Sequence, residues 1–199
     1  ASLAQGIDWN EDDAELYLKQ LRILSNFYIQ NPKITPINVL TKGLFGLKNL
    51  SGLQKKFCGT GVHMNTYDVD GKSYGCHMFS PIVLGDKALE LSEVDWTCDT
   101  ISDDEYCKEC FLKNYCPTCM GFNYRYRDNL SKRDIRWCKM ILAEAIASCE
   151  FQMKALSTQK SLNTEEAIRA QCALEAYPIL KKLSVRTAKS PFKMACSLK

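Results

Sequence analysis

Cys107-Lys-Glu-Cys110-Phe-Leu-Lys-Asn-Tyr-Cys116-Pro-Thr-Cys119 decides how this chain is read, because it sets four thiols within thirteen residues as two Cys-x2-Cys pairs five residues apart. A Cys-x2-Cys turn lets both sulfurs converge on one metal or cluster without stretching the backbone. Two pairs this close can feed one site or two neighbouring ones. Outside the stretch lie Cys58, Cys76 and Cys98 on one side and Cys138 on the other. The chain carries 11 cysteines in 199 residues, an odd count, and seven of them fall between positions 76 and 138. Disulfide frameworks belong to oxidising compartments and to smaller domains, so ligation of a metal or cluster is the favoured use of these thiols.

Composition narrows the remaining classes. Apolar residues make up 46% and charged residues 25%, an ordinary soluble mixture. A net charge of +3, with no basic stripe, gives no reason to expect a nucleic acid or membrane partner. No apolar run approaches the roughly 18–20 residues that cross a bilayer, and Ala1 to Gly6 reads as neither signal nor transit peptide. The expectation is a soluble protein of a reducing cytoplasm.

On the N-terminal side, Leu3, Ala4 and Ile7 suggest a short strand or loop. Asp8 is a plausible cap for an amphipathic helix over 9–30, with Glu11, Asp12 and Asp13 in its first turn and Leu16, Leu18, Leu21, Ile23, Leu24, Phe27 and Tyr28 at mostly helical spacing. Pro36 opens a shorter helix through Val39, Leu40, Leu44 and Phe45. Val62–Val69 and Lys72–Phe79 read as two strands joined at Asp70-Gly71, a strong hairpin signal, with Cys58 entering the first strand and Cys76 in the second. The acidic run 86–106 reads as a solvated connection, and Gly121–Arg127 as a polar-aromatic loop. Ser131 or Asp134 is expected to cap a long helix carrying Cys138 in its first turns. Thr164 starts a last helix to about Leu183, bent late by Pro178, and the basic tail 185–199 is expected to be poorly ordered. The fold class is therefore α+β, mostly α-helical, with one β-hairpin and a cysteine-rich cluster-binding core.

In order, the thiols read Cys58-x12-Gly71-x4-Cys76, then Cys107-x2-Cys110-x5-Cys116-x2-Cys119, then Cys138. This resembles the SPASM domain, the auxiliary-cluster domain at the C-terminal end of radical S-adenosylmethionine enzymes such as the anaerobic sulfatase-maturating enzymes and many peptide maturases. Every spacing agrees except the last pair, which is one residue shorter than the family's Cys-x3-Cys. The segment Asp68 to His77 also looks like the family hairpin. The resemblance implies that Cys107, Cys110, Cys116 and Cys138 hold one [4Fe–4S] cluster, and that Cys58, Cys76 and Cys119 hold another. Some relatives supply a fourth ligand to the latter from just upstream of the Cys58 position, but residues 51–57 contain no cysteine. An open iron, Cys98 or another group then completes that site.

The same resemblance divides the chain into the end of a radical S-adenosylmethionine barrel with bridging helices (1–50), the SPASM domain (51–156) and a C-terminal helix with tail (157–199). It implies a peptide or protein substrate and a radical S-adenosylmethionine catalytic domain as partners. The Cys-x3-Cys-x2-Cys motif that binds the S-adenosylmethionine-cleaving cluster is absent from these residues. The expected role is therefore that of a C-terminal piece or degenerate relative, which transfers electrons and positions substrate and has no catalytic residues of its own. His77 stands where sulfatase-maturating relatives carry an acidic residue, and this leans towards a peptide-modifying relative. The competing class is an interaction module stapled by zinc on the two Cys-x2-Cys knuckles, which leaves Cys58, Cys76 and Cys138 without a shared purpose. Cys149 and Cys172 fit apolar helix faces, Cys196 a free thiol in the tail, and His63 and His77 ordinary surface histidines.

Overall fold

The computed structural model describes residues 3–48, 58–91, 93–98, 104–158 and 163–192. It is 54% helical, with one two-stranded antiparallel hairpin among the described residues. The fold is thus the mostly helical α+β type expected. The chain forms two compact units: 1–53 with 109–116 and 135–199, and 54–108 with 117–134.

The first unit is built on three long helices, α1 (Glu11–Gln30), α5 (Cys138–Ser157) and α6 (Thr164–Lys181), with the short α2 (Asn38–Thr41) beside α5. Helix α1 is capped by Asn10, not by Asp8. The Asn10 side chain accepts from the Asp12 and Asp13 amides at 2.8 and 3.1 Å, and the Asp13 carboxylate accepts from the Asn10 amide at 3.0 Å, so the box closes two residues later than expected. Its buried line is Ala14, Leu18, Leu21 and Ser25, spaced as one helical face. Leu16, Ile23 and Phe27 point outward at 58, 53 and 44% exposure, so the apolar pattern is wider than the face that packs.

Helix α5 is the centre of this unit, with Met140 to Cys149 buried along its length and Leu142, Ala143, Ala145, Ala147 and Cys149 fully so. No side chain caps it. A turn of 3-10 helix (Ile135–Trp137) runs straight into Cys138, and neither Ser131 nor Asp134 serves as its cap. Asn163 caps α6 in a second closed box with Glu166, and Pro178 lies inside the helix. Cys149 and Cys172 are core residues as expected. The start of the tail is not loose. Val185 and Phe192 are buried, and the Phe192 carbonyl accepts from the Phe111 amide at 2.8 Å. Residues 193–199, with Cys196, lie outside the described residues.

The second unit holds the hairpin, β1 (Thr66–Tyr67) and β2 (Ser73–Tyr74), in register Thr66 with Tyr74 and Tyr67 with Ser73. The turn falls at Asp70-Gly71 as expected, but each strand is two residues long. At one end, the amides of His63 and Met64 both turn back onto the Gly59 carbonyl at 2.8 Å. At the other, His77–Phe79 is a 3-10 turn capped by the Cys76 sulfur. Helix α3 (Pro81–Leu84) and a 3-10 segment (Gly85–Leu91) follow, burying Ala88 and Leu91.

Two stretches expected to be irregular have structural roles instead. The acidic run is anchored by Trp96, whose ring lies 4.6 Å from that of Phe79, and by the buried Asp104, which accepts from the Arg133 amide at 2.7 Å. Positions 92 and 99–103 of that run lie outside the described residues. Gly121–Arg127 is helical, within α4 (Met120–Arg127). Met120 and Tyr124 bury one face, and Asn123, also buried, donates to Thr118 Oγ1 and the Leu130 carbonyl while accepting from Arg127.

Candidate metal centre

Three of the implied ligands, Cys58, Cys76 and Cys119, come from three separate segments of the second unit and share one neighbourhood. Two close approaches bring them there. A Cβ on Gly121 would sit 2.3 Å from the Met78 Cβ, so only glycine lets the start of α4 lie against the turn after Cys76. That contact carries Cys119, two residues before Gly121, towards Cys76, two residues before Met78. On the other side the Gly61 amide donates to the Gly75 carbonyl at 2.9 Å, tying the Cys58 loop to the residue before Cys76. Gly61 has a φ of 68°, and its missing Cβ leaves the space filled by Trp96.

The sulfurs are already supplied with the contacts that suit metal-bound thiolates. The Met78 amide donates to Cys76 Sγ at 3.3 Å, and Thr60 Oγ1 lies 2.9 Å from Cys58 Sγ. Burial pushes the Cys76 thiol up. The neighbouring sulfurs of Cys119 and Cys58 push it the same way, while the Met78 amide opposes them. Neighbouring sulfurs that disfavour ionisation of Cys76 suit a positively charged metal, which would relieve that repulsion. The all-sulfur donor set and the amide donation to sulfur fit an iron–sulfur cluster.

Among the described residues, no group of three or more His, Cys, Asp and Glu side chains is placed to hold a metal ion. A tetrahedral zinc with bonds of about 2.3 Å would draw its sulfurs to roughly 3.8 Å from one another.

The other implied ligands divide between the units. Cys110, Cys116 and Cys138 are half-buried against the core of the first unit, and Cys107 is buried at the end of a 3-10 turn (Glu105–Cys107) of the second. Cys98 is exposed, two residues after the Trp96 anchor. His63 and His77 are both exposed, as expected of surface histidines. Of the aromatics near the cysteines, Tyr124 is buried with its hydroxyl donating to Glu90, which raises the phenol to about 12, and Trp137 lies in the core of the first unit.

Sequence reasoning singled out neither Trp96, Thr60 and Met78 nor Lys42 of the first unit. A tryptophan within an acidic run was the one available signal. The Lys42 ammonium donates to the Tyr115 carbonyl at 2.7 Å and stands 4.0 Å over the Tyr115 ring.

Comparisons of the chain with protein-family models, with curated proteins and with solved structures give no match.

Proposed function

We propose that this chain binds [4Fe–4S] clusters as an auxiliary-cluster protein of the SPASM type, and that it serves a radical S-adenosylmethionine enzyme modifying a peptide or protein in a reducing cytoplasm. The observation that carries the reading is the gathering of Cys58, Cys76 and Cys119. Cys76 and Cys119 are 43 residues apart in sequence, yet the close approach of Gly121 to Met78 brings their segments together. The spacing of all seven cysteines adds to it, including the four (Cys107, Cys110, Cys116 and Cys138) assigned to a second cluster. The thiolates would hold the clusters, and the clusters would supply one-electron chemistry when bound. The chain's own residues bury Cys76 and donate the Met78 amide to its sulfur, and they set the Thr60 hydroxyl beside the exposed Cys58.

The test is iron, sulfide and zinc content after anaerobic reconstitution, read with absorbance near 400 nm. About eight irons per chain are expected for two four-iron clusters, and about four for one. Stoichiometric zinc with no iron uptake would overturn the reading in favour of a zinc-stapled interaction module.

A further inference from the structure

Within the first unit, the end of α1 and the facing sides of α5 and α6 leave a pocket of about 320 Å³. Its walls are mostly apolar, with Tyr28 and Ile29 from α1 and Phe151 and Leu156 from α5. The rings of Tyr28 and Phe151 meet edge to face, 6.4 Å apart at 72°, so the aromatic wall is a packed pair. A volume of roughly 300 Å³ or more, apolar walls and a few placed polar groups are the usual make-up of a small-ligand site.

Two polar side chains of this pocket have hydrogen-bonding groups left over. Gln152 is 4% exposed, and its Nε2 is surrounded by the Leu40 carbonyl at 3.3 Å, the Lys42 carbonyl at 2.9 Å and Ser148 Oγ at 2.9 Å. Those acceptors fix the sense of the amide, so the oxygen is the spare end, and Oε1 is buried with no donor among the described residues. Arg169 of α6 has its Nε buried with no acceptor, and its ion pair to Glu165 is long, at 3.9 Å. A buried acceptor and a buried donor left unmet are each costly, which is the reason most such groups in folded chains have partners.

Charge narrows what could meet them. Glu165 already lies beside the guanidinium, and Glu166, whose carboxylate accepts from the Asn163 amide, also lines the pocket. A carboxylate ligand would face both glutamates, whereas a neutral ligand would not. The missing partners are one N–H and one C=O, which a single secondary amide supplies.

We propose that this pocket binds a neutral secondary amide carried on an aromatic or aliphatic body. The amide N–H donates to Gln152 Oε1, its carbonyl accepts from Arg169, and the body packs against Tyr28, Phe151 and Leu156. The site stands apart from the thiols, and nothing in it depends on the cluster reading. A peptide chain with an apolar side chain and a small capped amide share this chemistry.

The test titrates the full chain with three probes of one shape, followed by two-dimensional amide NMR. N-methyl-3-phenylpropanamide has both groups, N,N-dimethyl-3-phenylpropanamide lacks the N–H, and 3-phenylpropanoate carries a negative charge. Gln152 is probed from the ligand side because its Nε2 bonds hold the chain around α2. Arg169→Met removes the other partner in a side chain that makes no hydrogen bond within the described residues.

The expected result is saturable shifts from the secondary amide at 28–36, 151–158 and 166–169, with the other two probes about tenfold weaker or more. Arg169→Met should weaken the secondary amide by about tenfold. No saturable shift, or shifts elsewhere, would overturn the proposal. Equal affinity for all three probes would overturn it in favour of an unselective apolar cavity, and tightest binding of the acid in favour of an anion site. Unchanged affinity in Arg169→Met would also sink it. The capped peptide acetyl-Gly-Phe-Gly-amide then separates the sources. Tighter binding than the small amide supports a peptide chain, and weaker binding supports a small molecule.

Discussion

The two units are held together by different means. The first buries long aliphatic side chains against one another, with Leu40, Leu44, Leu112, Ile141, Leu142 and Leu180 almost fully enclosed. The second has a small core, Cys76, Phe79, Leu91, Met120 and Tyr124, and one of those five is a candidate metal ligand. Its close packing is local: a tryptophan over glycines and a helix start against a methionine. Small cores of this kind usually need a staple such as a metal or disulfide. The comparison assigns stability to apolar burial in the first unit, and on the proposed reading a metal bound by the thiols would staple the second.

The sharpest way to break that contrast is to remove the metal. Chelation of the reconstituted protein should open 58–98 to limited proteolysis while α1, α5 and α6 stay resistant, as read by mass spectrometry of the fragments. Equal protection of both units after chelation would sink the assignment. Next come paired truncations. Leu142→Ala should cost about 3 kcal/mol in urea unfolding followed by helical circular dichroism, through the cavity it leaves in α5. Trp96→Ala should cost a similar amount, about 3 kcal/mol, but register as faster amide exchange in 58–98 rather than as lost helix signal. A smaller effect is expected at Asn163→Ala, which removes the α6 cap and should cost about 1 kcal/mol in the same urea experiment.

The smallest effect is one of pH. Burial pushes the Glu144 carboxyl above its ordinary value of 4.5, against the pull of Tyr17 and Lys42. Folded protein then keeps a proton that the unfolded chain has lost. Glu144 therefore favours folding most below the unfolded value, and its contribution falls as pH rises through the folded one. Glu144→Gln keeps an acceptor for the Tyr17 hydroxyl and should lack this decline. Its Tm relative to the parent should rise from about pH 4.5 upward, and a constant difference would refute the assignment.

The long helices were legible because their apolar spacing repeats over several turns, and acidic residues mark the starts of α1 and α6. Their true caps, Asn10 and Asn163, each pair with an acidic residue three positions on, a signature present in the sequence that the reading of Asp8 passed over. The hairpin turn was legible from Asp70-Gly71. The strand lengths were not, because the bonds that stop the strands come from the Gly59 carbonyl and the Cys76 sulfur. Helix α4 was misread because Asn123 and the arginines suggest solvent, whereas Asn123 is buried and bonded to Thr118 and the Leu130 carbonyl on either side of the helix. The thiols themselves are visible in any reading of the sequence. Why Cys119 meets Cys76 is not, because it depends on the empty side of Gly121 facing Met78.

The order in which the two units are threaded also matters while the chain is being made. Every residue of the second unit precedes position 135, whereas the first needs α5, which begins at Cys138. Helix α1 ends at Gln30, so its buried face must wait for about 110 residues of synthesis, roughly 5–20 s at ribosomal speed, before its partner exists. The second unit, with Cys58, Cys76 and Cys119, is complete at the ribosome first. Leu18 and Leu21 spend that interval bare, as a hydrophobic stripe that nascent-chain chaperones are suited to hold.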